Sequence, residues 1–541
     1  TLNTALASNN ITVTTAGAGT QAGNINVNAG ITWGANTALT LRADNDININ
    51  ANISANGTNG KLNLEYGQTT SNTNANYYLN NGATVNLKAG QNFSTKKGND
   101  ATKNYTVITS LGSAGSMTGT DLQGINGNLL GNYVLGSDID ASSTWEWNTY
   151  TGFDPIGYHN VNYPVSGSPS VPFRGTFDGL GHTIKSLTIG SGDSGIGLFA
   201  ETSSAAVIRN IGLTGIDYLG YQRAGGLVAK NYGLIENSYV TGKIQSFESD
   251  FGGLVGWNDT NAKITNSFAD VDIISKWGNS SRVGGLVGVN QGTIENSYAT
   301  GDVIGTDTIG GLVGSNEQGT IKNSYSSGKV EWSGKGTQLS IGGLAGFSQG
   351  TIQNSYWNTT TSGRTNSAGG TGLTTAEMFD KNKFTGFDLG TVWGNGDNQT
   401  TPYLLNISAN QQVYNKNDVS ALYTVILNAN QLQNMNQNLS GKYLLGNNID
   451  ASDTVNWNSG AGFNPIGGSV EIGSGIHSQF TGVLDGLSHT IFKLSLDVQN
   501  KYGIGLIGIN SGIIKNLGLD NINIKGQRAV GGLVGYNVGG N

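Results

Sequence analysis

The sequence predicts an all-β chain: a right-handed parallel β-helix (solenoid) with loop excursions and one or two short helices. Three observations predict it. Glycine supplies 85 of 541 positions while proline supplies 6, a composition of many short strands joined by tight turns. A Gly-Gly-Leu-Val motif begins at Gly225, Gly252, Gly284 and Gly310 and, as Gly-Gly-Leu-Ala, at Gly342, with spacings of 27, 32, 26 and 32 residues. Each copy is followed by Ile-x-Asn-Ser-aromatic: Ile235 to Tyr239, Ile264 to Phe268, Ile294 to Tyr298, Ile321 to Tyr325 and Ile352 to Tyr356. A unit of this length with about three short strand-like pieces is one coil of a solenoid, whereas propeller blades run to about 40–50 residues.

Coils stack at about 4.8 Å, so equivalent residues fall above one another. Leu227, Leu254, Leu286, Leu312 and Leu344 are then an inward aliphatic stack. Asn237, Asn266, Asn296, Asn323 and Asn354 are expected to form an asparagine ladder, amide bonded to amide along the axis. Tyr239, Phe268, Tyr298, Tyr325 and Tyr356 line up beside them. The paired glycines mark corners that need either positive φ or close backbone approach. Unit length varies after the third strand, as at Lys276-Trp277-Gly278-Asn279, which puts insertions on one side of the helix.

A longer duplication overlays the short one. Leu122-Gln123, Ile139-Asp140-Ala141-Ser142 and Phe153-Asp154-Pro155-Ile156-Gly157 return as Leu432-Gln433, Ile449-Asp450-Ala451-Ser452 and Phe463-Asn464-Pro465-Ile466-Gly467. Asp178-Gly179-Leu180-Gly181-His182-Thr183-Ile184 returns as Asp485-Gly486-Leu487-Ser488-His489-Thr490-Ile491. Four regions follow. Residues 1–105 alternate cleanly and read as N-terminal β-helical repeats with shorter coils. Residues 106–356 form a first module, 357–430 a connecting segment with a short capped helix at Thr374 to Phe379, and 431–541 a second module. The second module stops after one Gly531-Gly532-Leu533-Val534 unit, which suggests a piece of something longer.

Composition narrows the function classes. The net charge is −7 and the sequence pI is 5.1. No basic stripe exists to release counterions from nucleic acid or to meet an anionic membrane. No run reaches the roughly 18 apolar residues of a membrane span. Thr1-Leu2-Asn3-Thr4 lacks the basic and apolar regions of a signal peptide. Without cysteine, stability rests on burial and backbone pairing rather than disulfides.

Phe177-Asp178-Gly179-x-Gly181-His182-Thr183-Ile184 and the Gly-Gly-Leu-Val-Gly-x-Asn units resemble the GLUG motif family. The opening segment, with Ala22-Gly23-Asn24-Ile25, Leu39-Thr40-Leu41 and Asp46 to Asn50, resembles filamentous-haemagglutinin-like and high-molecular-weight exoproteins of two-partner secretion systems. The family's N-terminal secretion domain is absent from this stretch. The resemblance implies a secreted or cell-surface adhesin of Gram-negative type, exported by an outer-membrane two-partner transporter. Its expected partners are a host-cell or bacterial-surface glycan or receptor, or exopolysaccharide. GLUG units also occur in large immunoglobulin A-cleaving metalloproteases, so a passive spacer of a larger exoprotein stays open.

Chemistry is sparse. The histidines are His159, His182, His477 and His489, and none sits in a His-Glu-x-x-His helix. Neither a cysteine nor a Gly-x-Ser-x-Gly elbow marks a nucleophile. No catalytic residue, metal site or cofactor is therefore expected. A polysaccharide-degrading β-helix enzyme is the competing class, and it needs placed carboxylates; Asp138 with Asp140 and Asp270 with Asp272 are the candidates, with Asp44-Asn45-Asp46 a candidate calcium turn. The stronger binding candidates are aromatic. Trp145, Trp147, Tyr150 and Tyr158 crowd one excursion and Trp457 recurs in the second module, offering apolar faces beside polar edges as sugar rings require.

Overall fold

The computed structural model describes residues 1–15, 22–68, 74–157, 171–190, 195–220, 223–246, 250–275, 281–335, 340–407, 409–468, 470–471 and 478–540. It is an all-β parallel solenoid with a few short helical pieces. The opening helix, Leu2–Leu6, buries Leu6 against the first coils. Strands Ile25–Val27, Ile31–Trp33 and Ala38–Arg42 then form a three-sided coil, stacked in parallel register on Ile47–Ile49, Ile53–Ala55 and Lys61–Tyr66. Their alternate residues are buried, the period of two that a half-buried strand demands.

The chain then reverses. Gly90–Lys97 pairs antiparallel with Lys103–Ile108, Phe93 opposite Tyr105, and Lys103–Ile108 pairs in parallel with Tyr133–Leu135. All three residues of Tyr133–Leu135 are buried. Val134 joins the core of the N-terminal array, whereas Tyr133 and Leu135 join that of the first module. This wall is shared by two cores, which alternation alone does not reveal. The wall is part of one 13-stranded sheet that starts at Ile11–Thr14 in the N-terminal array and continues through Val207–Arg209, Leu234–Glu236, Lys263–Thr265 and Thr293–Glu295 to Thr351–Gln353.

The full coils of the first module carry four or five short strands where about three were expected. In one coil they are Phe268–Ser275, Arg282–Gly284, Val287–Asn290 and Thr293–Glu295. The extra break is the Gly-Gly-Leu bend. The paired glycines there are absent from the positive-φ residues; they are required by proximity. A Cβ on Gly284 would lie 2.1 Å from the Val287 carbonyl oxygen, and one on Gly285 would lie 2.2 Å from that of Gly311. Leu227, Leu254, Leu286, Leu312 and Leu344 are fully buried, and the Leu286 N–H donates to the Leu312 carbonyl of the next coil at 2.9 Å.

The Asn-Ser-aromatic triplet divides three tasks. Asn237, Asn266, Asn296, Asn323 and Asn354 all have φ between 46° and 49°, the left-handed region that Asn tolerates best after Gly. They are corner residues first. Their side chains make only long amide bonds among the described residues, Asn237 to Asn210 at 3.4 Å and Asn354 to Asn323 at 3.3 Å, and Asn266 Oδ1 is unpartnered. The well-bonded asparagine ladder lies elsewhere, at the last residue of Gly-Gly-Leu-Val-x-x-Asn. Asn231 donates to Asn258, Asn258 to Asn290 and Asn290 to Asn316 at 2.8–2.9 Å, all fully buried. The serines bridge coils, each Oγ accepting the N–H of the preceding coil's serine, from Ser267 through Ser355, at 3.1–3.2 Å.

Tyr239, Phe268, Tyr298 and Tyr325 stack with centroids 4.8–5.2 Å apart and planes within 7°. This stack faces out of the coil, and the connecting segment covers it. Phe384, Phe387, Trp393 and Ile407 pack on it, while Tyr298 OH donates to Gln411 Oε1 and Tyr325 OH to the Pro402 carbonyl. The expected capped helix is a short 3-10 turn, Glu377–Phe379, closed by reciprocal Thr374 and Glu377 bonds. A second hairpin, Gln412–Asn415 against Asp418–Ile426, then opens a new parallel sheet with Lys442–Leu445 and Val483–Asp485. The second module's sheet thus starts before residue 431. The chain returns to the N-terminal array, where the Gly30 N–H donates to Asp453 Oδ1 at 2.8 Å.

Candidate ligand-binding surfaces

The aromatic excursion follows the strand Ile139–Asp140. Asp140 Oδ1 accepts the Ser142 N–H, starting the 3-10 helix Ser142–Glu146, and Thr144, fully buried, pins it through the Ala141 carbonyl and the Thr188 N–H. Beyond it, Asn148, Thr149 and Tyr150 have φ of 50°, 58° and 68°. Three consecutive left-handed non-glycine residues cost roughly 1–2 kcal/mol each. The second module makes the same turn with Asn458, Ser459 and Gly460, so the third position does not need a side chain.

The turn separates the four aromatic candidates. Trp147 lies on Phe153, centroids 6.4 Å apart, and packs on the first module's core. Trp457 does the same on Phe463 at 6.2 Å. These two plug the solenoid wall. Trp145 and Tyr150 are 53% and 68% exposed, with their rings 5.7 Å apart and tilted by 36°. They form a two-ring platform in water, and Val455 and Gly460 occupy their places in the second module. Tyr158 and Trp277 lie outside the described residues.

The carboxylate candidates are engaged in hydrogen bonds within the solenoid, to backbone N–H groups and to neighbouring side chains. Asp138 accepts the Thr183 N–H at 2.9 Å and sits 3.4 Å from His182 Nδ1 and 3.3 Å from Lys185 Nζ. Partial burial works to raise its pKa, but the His182 and Thr183 hydrogen bonds outweigh it and hold the carboxyl well below its usual range. His182 is buried, its Nε2 3.0 Å from the Val85 carbonyl of the N-terminal array. Asp270 accepts from Thr300 Oγ1, and Asp272 accepts the Asp302 N–H. Burial raises the Asp270 pKa, as do the neighbouring charges of Asp272 and Asp302. In the Asp44 to Asp46 turn, Asp46 Oδ1 caps the Asn76 N–H. Among the described residues no group of three His, Asp or Glu could hold a metal. His159 and His477 are outside the described residues.

A buried charge cluster joins residues that the motif reading did not connect. Asp178 is fully buried, taking the Arg209 Nε–H at 2.8 Å, the Tyr77 hydroxyl at 2.5 Å and the Asn210 amide at 3.0 Å. The Arg209 guanidinium stands 4.3 Å above the Tyr77 ring. Tyr77 belongs to the N-terminal array and Asp178 to the first module, so this cluster locks the two together. In the sequence Asp178 is visible only as part of the duplicated Asp-Gly-Leu turn, and its partner as an arginine at a coil position where Glu236, Thr265, Glu295 and Lys322 follow.

Comparison with known proteins agrees with the repeat architecture. The model of the GLUG motif matches residues 220–245, 249–274, 279–304 and 305–331. Halomucin from Haloquadratum walsbyi is 32% identical over 556 aligned positions, spanning 77% of this chain and 6% of halomucin. Immunoglobulin A1 protease from Streptococcus pneumoniae is 29% identical over 246 residues, 40% of this chain and 12% of the protease. A provisionally assigned immunoglobulin A1 protease from Bacteroides ovatus, a solved structure, aligns with 56% of this chain and 92% of its own at 20% identity and a TM-score of 0.41. The chain therefore carries GLUG repeats and spans only a small part of the length of the curated relatives it matches.

Proposed function

We propose that this chain is a non-catalytic, surface-exposed segment of a large bacterial exoprotein, a rigid shaft that also attaches to glycans as an adhesin. The observation that carries it is the Trp145–Tyr150 platform: two exposed rings, one held in a left-handed conformation that the duplicate turn fills with glycine. A strained, solvent-facing aromatic argues for use rather than packing. Capped and paired carboxylates support the absence of glycan cleavage. Secretion or surface display accords with the name of halomucin and with the immunoglobulin A1 proteases, and export by an outer-membrane partner transporter belongs to the same reading. Host-cell, bacterial or matrix polysaccharide is the expected partner.

The test is binding of the purified chain to a broad glycan array, with release of soluble sugar followed in parallel. Saturable binding lost in the Trp145→Ala, Tyr150→Ala double variant is the expected result. Sugar release would replace this reading with a polysaccharide-degrading enzyme. A second reading, a passive spacer that positions a distal activity, is favoured by the small fraction of each relative that this chain spans; it expects neither binding nor release.

A further inference from the structure

The parts of the chain are joined in two different ways. The N-terminal array and the first module share one 13-stranded sheet and the buried cluster of Asp178, Arg209 and Tyr77. The second module shares neither. Among the described residues its strands form no ladder with any strand of the first 356 residues, and its buried core is a separate cluster.

Two contacts of different chemistry hold it in place. One is the strand Tyr403–Leu404. Leu404 packs into the aromatic stack of the first module, while Tyr403 packs beside Val425 and Leu444 of the second, its hydroxyl donating to the Gly446 carbonyl at 2.8 Å. Neighbouring strand residues point to opposite faces, so this short strand anchors both sides. A cleft of about 740 Å³ opens next to it, between the connecting segment and the second module. The joint is apolar and leaves room for movement.

The other contact is a polar seam against the N-terminal array, where Asn28, Asn50 and Asn52 lie across from Asn428, Asn430 and Asp453. Asn50 donates to Asn28 and Asn80 to Asn50, so these amides of the array are bonded without a partner across the seam. Asp453 is the clasp. Its Oδ1 accepts the Gly30 N–H at 2.8 Å, and its carboxylate takes the Asn52 N–H as well. Burial raises the Asp453 pKa in spite of these bonds, so closing the seam costs the carboxylate its water. The first module carries the exposed Ser143 at the matching position. Water replaces the bonds of a polar seam at small net cost, whereas parting an apolar contact exposes its whole area.

We propose that the second module is a hinged arm, turning about Tyr403–Leu404 and held shut on the N-terminal array by the Asp453 clasp, so that tension opens the seam before any coil unravels. The open form is longer and bares the asparagine face of the array. Such an arm makes the shaft stiff within each half and jointed between them, whether or not the platform takes glycans.

The experiment has a trap and a pull. A Cβ on Gly30 would lie 2.7 Å from Asp453 Cγ, the spacing at which two cysteines bridge, and the chain has no cysteine of its own. Gly30→Cys with Asp453→Cys is expected to form a disulfide in the folded chain. Pulled by its two ends in optical tweezers, the wild-type chain is expected to lengthen reversibly before the coils unravel. Asp453→Ser, which copies the first module, should speed that opening at least about tenfold, the contribution of one hydrogen bond to a charged group. It should leave the force for coil unravelling unchanged, which also shows that the variant folds. The oxidised cysteine pair should not open until it is reduced. Four results would overturn the proposal: no disulfide, no lengthening ahead of unravelling, opening that is indifferent to Asp453→Ser, or opening that persists in the oxidised pair.

Discussion

The two modules enter their solenoids in the same way. Each starts with a hairpin whose second strand contains Tyr-Thr-Val-Ile, at Tyr105 to Ile108 and at Tyr423 to Ile426, and each pairs that strand with a Tyr-containing wall strand further along the chain, Tyr133–Leu135 or Lys442–Leu445. Each then seats an Asp-Gly turn whose aspartate is fully buried, Asp178 or Asp485. The differences fall on the outer layer of these shared turns. Arg209 and Tyr77 hold Asp178, whereas Lys515, at 3.2 Å, and Asn415, at 3.3 Å, hold Asp485. Asp138 becomes Asn448, and Tyr150 becomes Gly460. The duplication repeats what closes a coil and varies what the coil presents to its surroundings.

The sharpest way to break the comparison is in the leucine stack. Leu286→Asp places an uncompensated charge where no water reaches, and destabilisation of the first module by more than about 4 kcal/mol is expected. Leu533, at the same slot of the second module, is only partly buried in this chain, so Leu533→Asp is expected to cost far less. Urea unfolding of both variants measures the difference; equal losses would refute the inward placement of Leu286.

The aspartate locks come next. Arg209 is buried, and Arg209→Ala strands Asp178 without its counter-charge, a loss of about 3–5 kcal/mol. Lys515 is more than a third exposed, and Lys515→Ala is expected to cost roughly 1 kcal/mol or less. Because Arg209 also covers Tyr77, its loss should raise hydrogen exchange in the N-terminal array, which Lys515→Ala should leave protected.

Acid separates the modules in the other order. Burial lowers the His489 pKa below its ordinary 6.5, so the unfolded chain binds protons first and the second module loses stability as pH falls through that value. Asp138 is held below its ordinary 3.8; its contribution is intact above that value and disappears only as pH falls below it. Acidification from pH 7 should therefore weaken the second module before the first. His489→Gln should remove the early phase, and Asp138→Asn, which copies the second module, should reduce the late one. Thermal unfolding followed from neutral pH down into the carboxylate range reads both.

The solenoid was legible because stacking imposes a period on every layer at once, and glycine, leucine and the Asn-Ser-aromatic triplet each mark one layer. The task of each layer was less legible. Asn237 and its equivalents recur for the left-handed corner, and the asparagine ladder belongs to Asn231, Asn258, Asn290 and Asn316; a repeat pattern records both as recurring asparagine. The hairpins that reverse the chain were hidden because a strand has the same alternation whichever way its neighbour runs. Trp147 and Tyr150 looked alike as nearby aromatics, and only the three-residue left-handed turn between core and solvent tells a plug from a platform.

The smallest expected effect on stability tests the platform most directly. Tyr150→Gly copies Gly460 and relieves a left-handed strain of roughly 1–2 kcal/mol, while the added freedom of the unfolded chain offsets about 0.5–1 kcal/mol of that. The ring gives up little burial because it is mostly exposed. The stability should therefore stay within about 1 kcal/mol of wild type, whereas array binding through the platform should fall by about tenfold or more as one of two stacking faces is lost. The converse graft, Val455→Trp with Gly460→Tyr, should destabilise the second module slightly and give it a platform of its own. Loss of stability in Tyr150→Gly without loss of binding would make Tyr150 a structural residue, and the adhesive reading would then have to rest on another surface of the shaft.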